Sequence, residues 1–308
     1  MAYKGIFDFV FLSHNAKKMA TKEDAYAYNL AGASEGFISV FDGCGGLGSR
    51  KYPIADNHTG AFLASRAACS AVYSMFENKE NAITGDNLKK AIVDKLYDLK
   101  QKTDDGKPEL VGSMVKTFPT TMVMAYAQKA DAGVKGKFWW AGDSRGYILN
   151  TKGLTQMTRD DIKGDDDAFE NLYNDAPLSN LIHISGDFKI NEKAFEVKEP
   201  SVIIVATDGT FGYLPSPMHF ELMILDTLMN AKSVAEWEEA LENKFNEISG
   251  DDATIIMTGC MLDSSFKNLK EMFKKRFAYL SGLLAGAKTR EQLEEIWKKS
   301  YKAVYENK

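Results

Sequence analysis

Cysteine is scarce in this chain: Cys44, Cys69 and Cys260 are the only three in 308 residues, and no Cys-x-x-Cys spacing occurs. So small and scattered a set argues against a disulfide framework and against a zinc knot, and it fits the cytoplasm best. No apolar run approaches the ~18 residues that read as a membrane span, so no membrane partner is expected. The apolar start, MAYKGIFDFVFLSH, is interrupted by Asp8 and followed by no small-residue cleavage site; it reads as a first strand. Positive charge is not in excess either. Lys and Arg number 38 against 43 Asp and Glu, a net charge of -5, which disfavours a nucleic-acid surface. There are no internal repeats and no low-complexity segment, although residues 164–167 form an acidic Gly-Asp-Asp-Asp loop.

What is present is the composition of a globular enzyme, 44% hydrophobic and 26% charged. Short apolar or alternating runs at residues 6–12, 25–30, 36–41, 122–127, 137–141, 146–150, 202–207 and 254–261 read as strands. Gly, Asp and Asn turns join many of them, which suggests antiparallel pairing. Helical periodicity occupies residues 60–78 and 88–102, and a capping box at Ser233 and Glu236 opens a helix running toward Ile248. Helices in pairs between runs of strands predict a layered α+β domain. Beyond residue 264 the strand pattern vanishes. Leu269, Phe273, Phe277, Leu280 and Leu284 recur at helical spacing, and after a second capping box at Thr289 and Gln292 so do Leu293, Ile296, Tyr301 and Val304. The tail reads as a helical hairpin. It either covers an outer face of the domain or offers its apolar stripe to a second copy or another protein, intramolecular cover being the default.

Three aspartates end apolar runs: Asp42 after Phe-Ile-Ser-Val-Phe, Asp143 after Phe-Trp-Trp-Ala-Gly, and Asp208 after Val-Ile-Ile-Val-Ala-Thr. Asp251 precedes the last strand. Taken singly, each is an ordinary turn residue. Taken together, they converge if the strands lie side by side, and two carboxylates ~4 Å apart repel by about 4 kcal/mol at an effective dielectric near 20. The natural compensators are hard divalent cations, Mg²⁺ or Mn²⁺, since no His/Cys cluster is present to hold zinc. Gly43 then lets its backbone carbonyl approach an ion, and Gly45 and Gly46 permit backbone angles closed to other residues.

Six short motifs carry a resemblance: TKEDAY (21–26), FDGCGG (41–46), FPTT (118–121), AGDSRG (141–146), ATDG (206–209) and GDDAT (250–254). Their order resembles that of the metal-dependent type 2C serine/threonine protein phosphatases over residues 5–262. The resemblance implies a four-layer αββα sandwich, two antiparallel sheets flanked by helices, with residues 1–262 as the catalytic domain and 263–308 as a C-terminal helical extension. It also implies two Mn²⁺ or Mg²⁺ ions between the sheets. Asp42 would bridge both, Asp208 and Asp251 would complete one, and the Gly43 carbonyl would serve the other. Glu23 and Asp24 would act mainly through water, and Asp143 matches the acid near a third, weaker ion. The expected activity is hydrolysis of phosphoserine and phosphothreonine in proteins by a water activated between the ions.

The pattern is broken in places. Cys44 stands where many relatives carry a His proposed to protonate the leaving group, and it reads as a small buried filler in preference to a redox-sensitive thiol. Met19 stands where an Arg usually grips the substrate phosphate; Lys17, Lys18 and Lys22 are nearby cations, but none supplies a planar fork. Pro119 and Glu199-Pro200 replace residues usual in the family and read as local backbone adjustments. Two rival readings remain. Gly142-Asp-Ser-Arg-Gly146 fits the nucleophile elbow of a serine hydrolase around Ser144, with His183 and His219 downstream, but a strand and not a helix is predicted to follow. The other is a phosphatase fold that recognises a partner without turning it over.

Overall fold

The computed structural model describes residues 6–17, 22–30, 32, 34–78, 83–104, 117–164, 167–173, 176–262 and 265–306. The strands are β1 (Phe7–Asn15), β2 (Ala25–Asn29), β3 (Glu35–Phe41), β4 (Lys51–Tyr52), β5 (His58–Thr59), β6 (Met122–Ala130), β7 (Gly133–Ala141), β8 (Arg145–Asn150), β9 (Gly153–Gln156), β10 (Asn191–Val197), β11 (Ser201–Ala206) and β12 (Ala253–Cys260). They form two five-stranded antiparallel sheets, ordered β1-β12-β11-β8-β9 and β10-β7-β6-β3-β2, and a small β4-β5 hairpin. All six residues of β11 and all eight of β12 are buried, as near-continuous apolar runs require of strands covered on both faces. The two sheets share an inner core that includes Ile38, Val123, Phe138, Ile203 and Ile256.

Helices cover both outer faces. α1 (Gly60–Asn78) and α2 (Gly85–Thr103) pack Ala64, Ala68, Leu88, Ile92 and Leu96 against the second sheet. On the first sheet lie α3 (Pro217–Asn230), α4 (Val234–Ile248) and α5 (Phe266–Leu284). The chain ends in α6 (Arg290–Ile296), a π-helical turn (Trp297–Tyr301) and α7 (Lys302–Tyr305). The expected αββα sandwich is therefore observed, and the C-terminal helices lie on its outer face. Their apolar stripe is buried within the chain: Trp297, Tyr301 and Tyr305 are each at most 1% exposed.

The elements differ from the sequence expectation where tertiary burial overrides pattern. α3 has no clean stripe because most of its faces are buried, from Met218 through Leu228. β10 alternates charged and apolar residues as an edge strand paired to β7, and β9 extends what reads as a turn after Asn150. At Ser233 only half of the expected box forms: Ser233 Oγ accepts from the Glu236 amide, whereas Glu236 Oε2 accepts from the Lys232 amide. The box at Thr289 and Gln292 is complete. The expected second hairpin helix is divided by the π turn, which rotates Trp297, Tyr301 and Tyr305 toward the core.

Buried charge ties the tail down. Glu221 on α3, fully buried, accepts from Arg276 of α5 at 2.6 and 2.9 Å, from the Leu154 amide at 3.1 Å, and from the Tyr301 hydroxyl. Asp167, part of the acidic loop, is likewise bound by Trp297 Nε1 (3.3 Å) and Lys302 Nζ (2.5 Å); residues 165 and 166 lie outside the described residues.

Candidate metal centre

At one end of the sandwich the loops after β3, β7 and β11 and those before β2 and β12 meet around a cleft of about 730 Å³. Asp42 follows β3 directly. Its carbonyl accepts from the Thr121 amide (2.8 Å) and the Thr120 hydroxyl (2.7 Å), which pins the strand end to the start of β6. The chain then turns sharply, Gly48 donating its amide to the Cys44 carbonyl at 2.9 Å. Neither Gly45 nor Gly46 takes the positive φ that would demand glycine; a Cβ at 45 would lie 2.1 Å from Glu23 Oε2, so that glycine leaves the carboxylate its place.

Glu23 and Asp24 are held by a network that no local motif announces. Asp252 accepts from the amides of Lys17 (2.8 Å) and Glu23 (2.6 Å). Ser65 and Arg66 of α1 donate to the Glu23 carbonyl at 2.5 and 2.9 Å, and Arg66 also donates to the Lys22 carbonyl at 2.6 Å. The Glu23 carboxylate accepts from Thr59 at 2.5 Å. Asp24, 1% exposed, accepts from the hydroxyls of Thr207 (2.9 Å) and Thr254 (2.6 Å), one from each flanking acid loop.

Asp143 sits in the β7–β8 connection, where Gly142 takes a φ of +105° and its amide donates to Asp161 at 3.0 Å. Asp208 opens a tight turn after β11, the Gly212 amide returning to its carbonyl at 2.6 Å. Gly209 lets that turn touch the β12 loop: a Cβ would lie 1.9 Å from the Asp252 carbonyl. Asp251 is exposed at the cleft mouth, its carboxylate accepting from the Asp252 amide at 2.8 Å. Glu23, Asp24, Asp42, Gly43, Asp143, Asp208 and Asp251, all candidates from sequence, thus line one cleft. Asp252, Thr59, Arg66, Thr207 and Thr254 are additions for which the one-dimensional pattern carries no signal beyond the doubled Asp of GDDAT.

The electrostatics follow from this crowding. Burial first, and then repulsion from Asp208 and Asp24, holds the Asp42 carboxyl well above the usual carboxylate range. Burial and neighbouring acids push Asp24 and Asp143 up to about 8 and raise Asp208. Glu23 is raised by burial too, with Thr59 opposing. Cys44 is driven up by burial and by Asp42, so it is a neutral thiol, not a reactive thiolate. Among the described residues no group of three or more His, Cys, Asp or Glu side chains stands arranged to hold a metal ion; the acids line the cleft without forming such a group. Their donor atoms are carboxylate and carbonyl oxygens. That set fits hard divalent cations.

At the level of sequence, no known family profile and no curated protein matches the chain. At the level of structure, a bacterial serine phosphatase covers 82% of this chain and 98% of its own at 17% identity and a TM-score of 0.58. The catalytic domain of the serine/threonine phosphatase PstP, solved with two manganese ions, covers 83% and 100% at 18% identity and a TM-score of 0.52. Stp1 from Staphylococcus aureus, a serine/threonine phosphatase, covers 84% and 97% at 16% identity and a TM-score of 0.58. This chain has the type 2C phosphatase fold.

Of the departures from the type 2C pattern, Pro119 has a local explanation. Met19 and Lys18 lie outside the described residues. Of the other cations considered, Lys17 lines the cleft, and so does Lys51 of the β4-β5 hairpin, which its sequence context does not single out. Pro119 is accommodated because Phe118 adopts a φ of +56° and Gly48 leaves room for the proline ring, while the Pro119 carbonyl accepts from the Cys44 amide. The serine-hydrolase alternative fails on geometry. Ser144 is 1% exposed, bonded to Thr121 at 2.7 Å, and leads into strand β8. His183 and His219 are bonded to Ser185 and Ser216, and neither lines the cleft.

Proposed function

We propose that the protein hydrolyses phosphate monoesters in a metal-dependent reaction, dephosphorylating phosphoserine and phosphothreonine in protein substrates. The observation that carries this reading is the convergence of seven acids on one cleft, five of them with carboxyls pushed above their ordinary range. Asp42, Asp208, Asp251 and the Gly43 carbonyl would hold two Mn²⁺ or Mg²⁺ ions, with Glu23 and Asp24 acting mainly through water and Asp143 near a third, weaker one. When bound, the cations supply an activated water and offset charge on the transferring phosphoryl oxygens.

The chain's own residues do the rest. Thr207 and Thr254 fix the Asp24 carboxylate between the two acid loops, and Thr59 orients Glu23. With Met19 in place of the usual Arg, Lys17 and Lys51 at the cleft wall attract the phosphate dianion as point charges. Residues 1–262 carry the catalytic unit and 263–308 the helical extension. A second reading, a binding module that retains the acids without turnover, is favoured only by Met19 and Cys44 replacing Arg and His. The test is turnover of an aryl phosphate and of phosphoserine and phosphothreonine peptides with Mn²⁺, against Asp208→Ala. Turnover abolished by chelator and by the variant supports the enzyme; wild-type rates no higher than those of Asp208→Ala overturn it.

A further inference from the structure

The short helix α7 of the tail reaches the back of the candidate centre. Tyr305, on α7, is 1% exposed and packs its ring against Tyr147 of β8 with centroids 6.1 Å apart. Tyr147 in turn meets Phe211 at 6.4 Å. Phe211 closes the tight turn that Asp208 opens, its amide donating to the Asp208 carbonyl at 3.0 Å. Arg145 lies on the same ring, its guanidinium carbon 4.3 Å from the Phe211 centroid, and grips Asp160 through contacts of 2.6 to 3.1 Å. Arg145 is two residues from Asp143 and pairs across the sheet with Ala206, two residues before Asp208. Tyr305 also lines, with Asp160, a second cleft of about 390 Å³ behind the centre. Tyr305 itself is locked from the outside by Trp297 (5.1 Å) and Tyr301 (5.8 Å), whose α6–α7 segment is bolted to Asp167 and Glu221.

We infer that Tyr305 is a positioning residue: through Tyr147, Phe211 and Arg145 it sets the placement of the Asp143 and Asp208 limb of the centre. The inference rests on the proposed metal site for its consequence, though not for its geometry. Packing of this kind acts by removing alternatives. An aromatic wedge behind Phe211 and Arg145 leaves the two acid loops one low-energy arrangement, whereas a void there lets both loops drift at little cost. The Asp42 and Glu23 limb stands on the other sheet and on α1, and the tail does not touch the contacts that hold it.

The decisive comparison is Tyr305→Ala beside Leu96→Ala, an equally buried truncation in the opposite helix layer that serves as a control for general destabilisation. Both are studied in the full chain well below their melting transitions, with Tyr305→Leu, which removes the ring but keeps apolar bulk, expected to act in the same direction as Tyr305→Ala and taking its place should Tyr305→Ala fail to fold. Amide hydrogen exchange is read over residues 143–147 and 208–212, and Mn²⁺ binding is measured by calorimetry. Tyr305→Ala is expected to speed exchange in both segments and to weaken Mn²⁺ uptake about tenfold or more, an effect of the size seen when groups supporting metal ligands are removed. Leu96→Ala leaves both unchanged. Tyr305→Phe, which keeps the ring, stays within about threefold of wild type in Mn²⁺ affinity. Unaltered exchange and affinity in Tyr305→Ala, or equal changes in Leu96→Ala, overturn the inference. Wild-type protein that takes up no Mn²⁺ but still shows the selective exchange change overturns the metal reading alone.

Discussion

Replacing Arg276 by Met removes one half of a buried ion pair while keeping most of the side-chain length. Glu221 is fully buried, and in the variant it keeps the Leu154 amide and the Tyr301 hydroxyl as partners but loses both guanidinium contacts, at 2.6 and 2.9 Å. Removing one partner of such a pair leaves an uncompensated buried charge and costs about 3–5 kcal/mol. An unfolding entropy of about 2.1 cal/mol/K per residue amounts to roughly 0.65 kcal/mol/K for a chain of this length, so the melting temperature should fall by about 5–8 °C. The assay is thermal unfolding by circular dichroism, paired with urea titration at room temperature. Adding Glu221→Gln to Arg276→Met removes the orphaned charge but keeps a carbonyl for Leu154 and Tyr301, and it should recover at least about 1 kcal/mol. A loss below about 1 kcal/mol in Arg276→Met, or no recovery in the double variant, would refute the claim that this pair anchors α5 and the tail.

The acid cluster yields three further predictions. In chelator, Asp24 and Asp143 bind protons more tightly folded than unfolded, because burial and neighbouring carboxylates push them up to about 8. Their contribution therefore makes stability fall as pH rises from the ordinary carboxylate range toward about 8, and the gain from Mn²⁺ should grow over the same window; a chelated protein whose melting point rises with pH across it would contradict this. Asp42→Asn, by removing a carboxyl whose ionisation burial and the neighbouring acids oppose, should melt higher than wild type in chelator, by an amount equivalent to about 1 kcal/mol or more, yet turn over no faster than Asp208→Ala. Lys51→Ala should raise KM for a phosphopeptide about three- to tenfold with kcat little changed; an unchanged KM would remove Lys51 from phosphate recognition.

The strands and most helices were legible in the chain because their cues are local. Runs such as Val202–Ile–Ile–Val–Ala206 are apolar in whatever context they fold, and Thr289 caps α6 through residues three positions apart. The candidate acids were legible for a related reason: Asp42, Asp143 and Asp208 end apolar runs, and the others stand in motifs whose order resembles that of the type 2C phosphatases. What stayed hidden depends on contacts across long stretches of chain. α3 is masked because burial on most of its faces erases the periodicity that marks a helix, and β10 because an edge strand carries charge. Asp252 reaching Lys17 and Glu23, Arg66 holding the 22–23 carbonyls, and Lys51 at the cleft wall join residues tens to hundreds of positions apart. The same holds for Tyr305 behind Phe211. Sequence by itself determined which segments must be buried and which side chains carry charge, because side-chain chemistry and short-range periodicity are properties of the chain. Only the tertiary structure decided which charges face one another and what braces them, because Coulomb repulsion and packing depend on distances that exist once the sheets have closed.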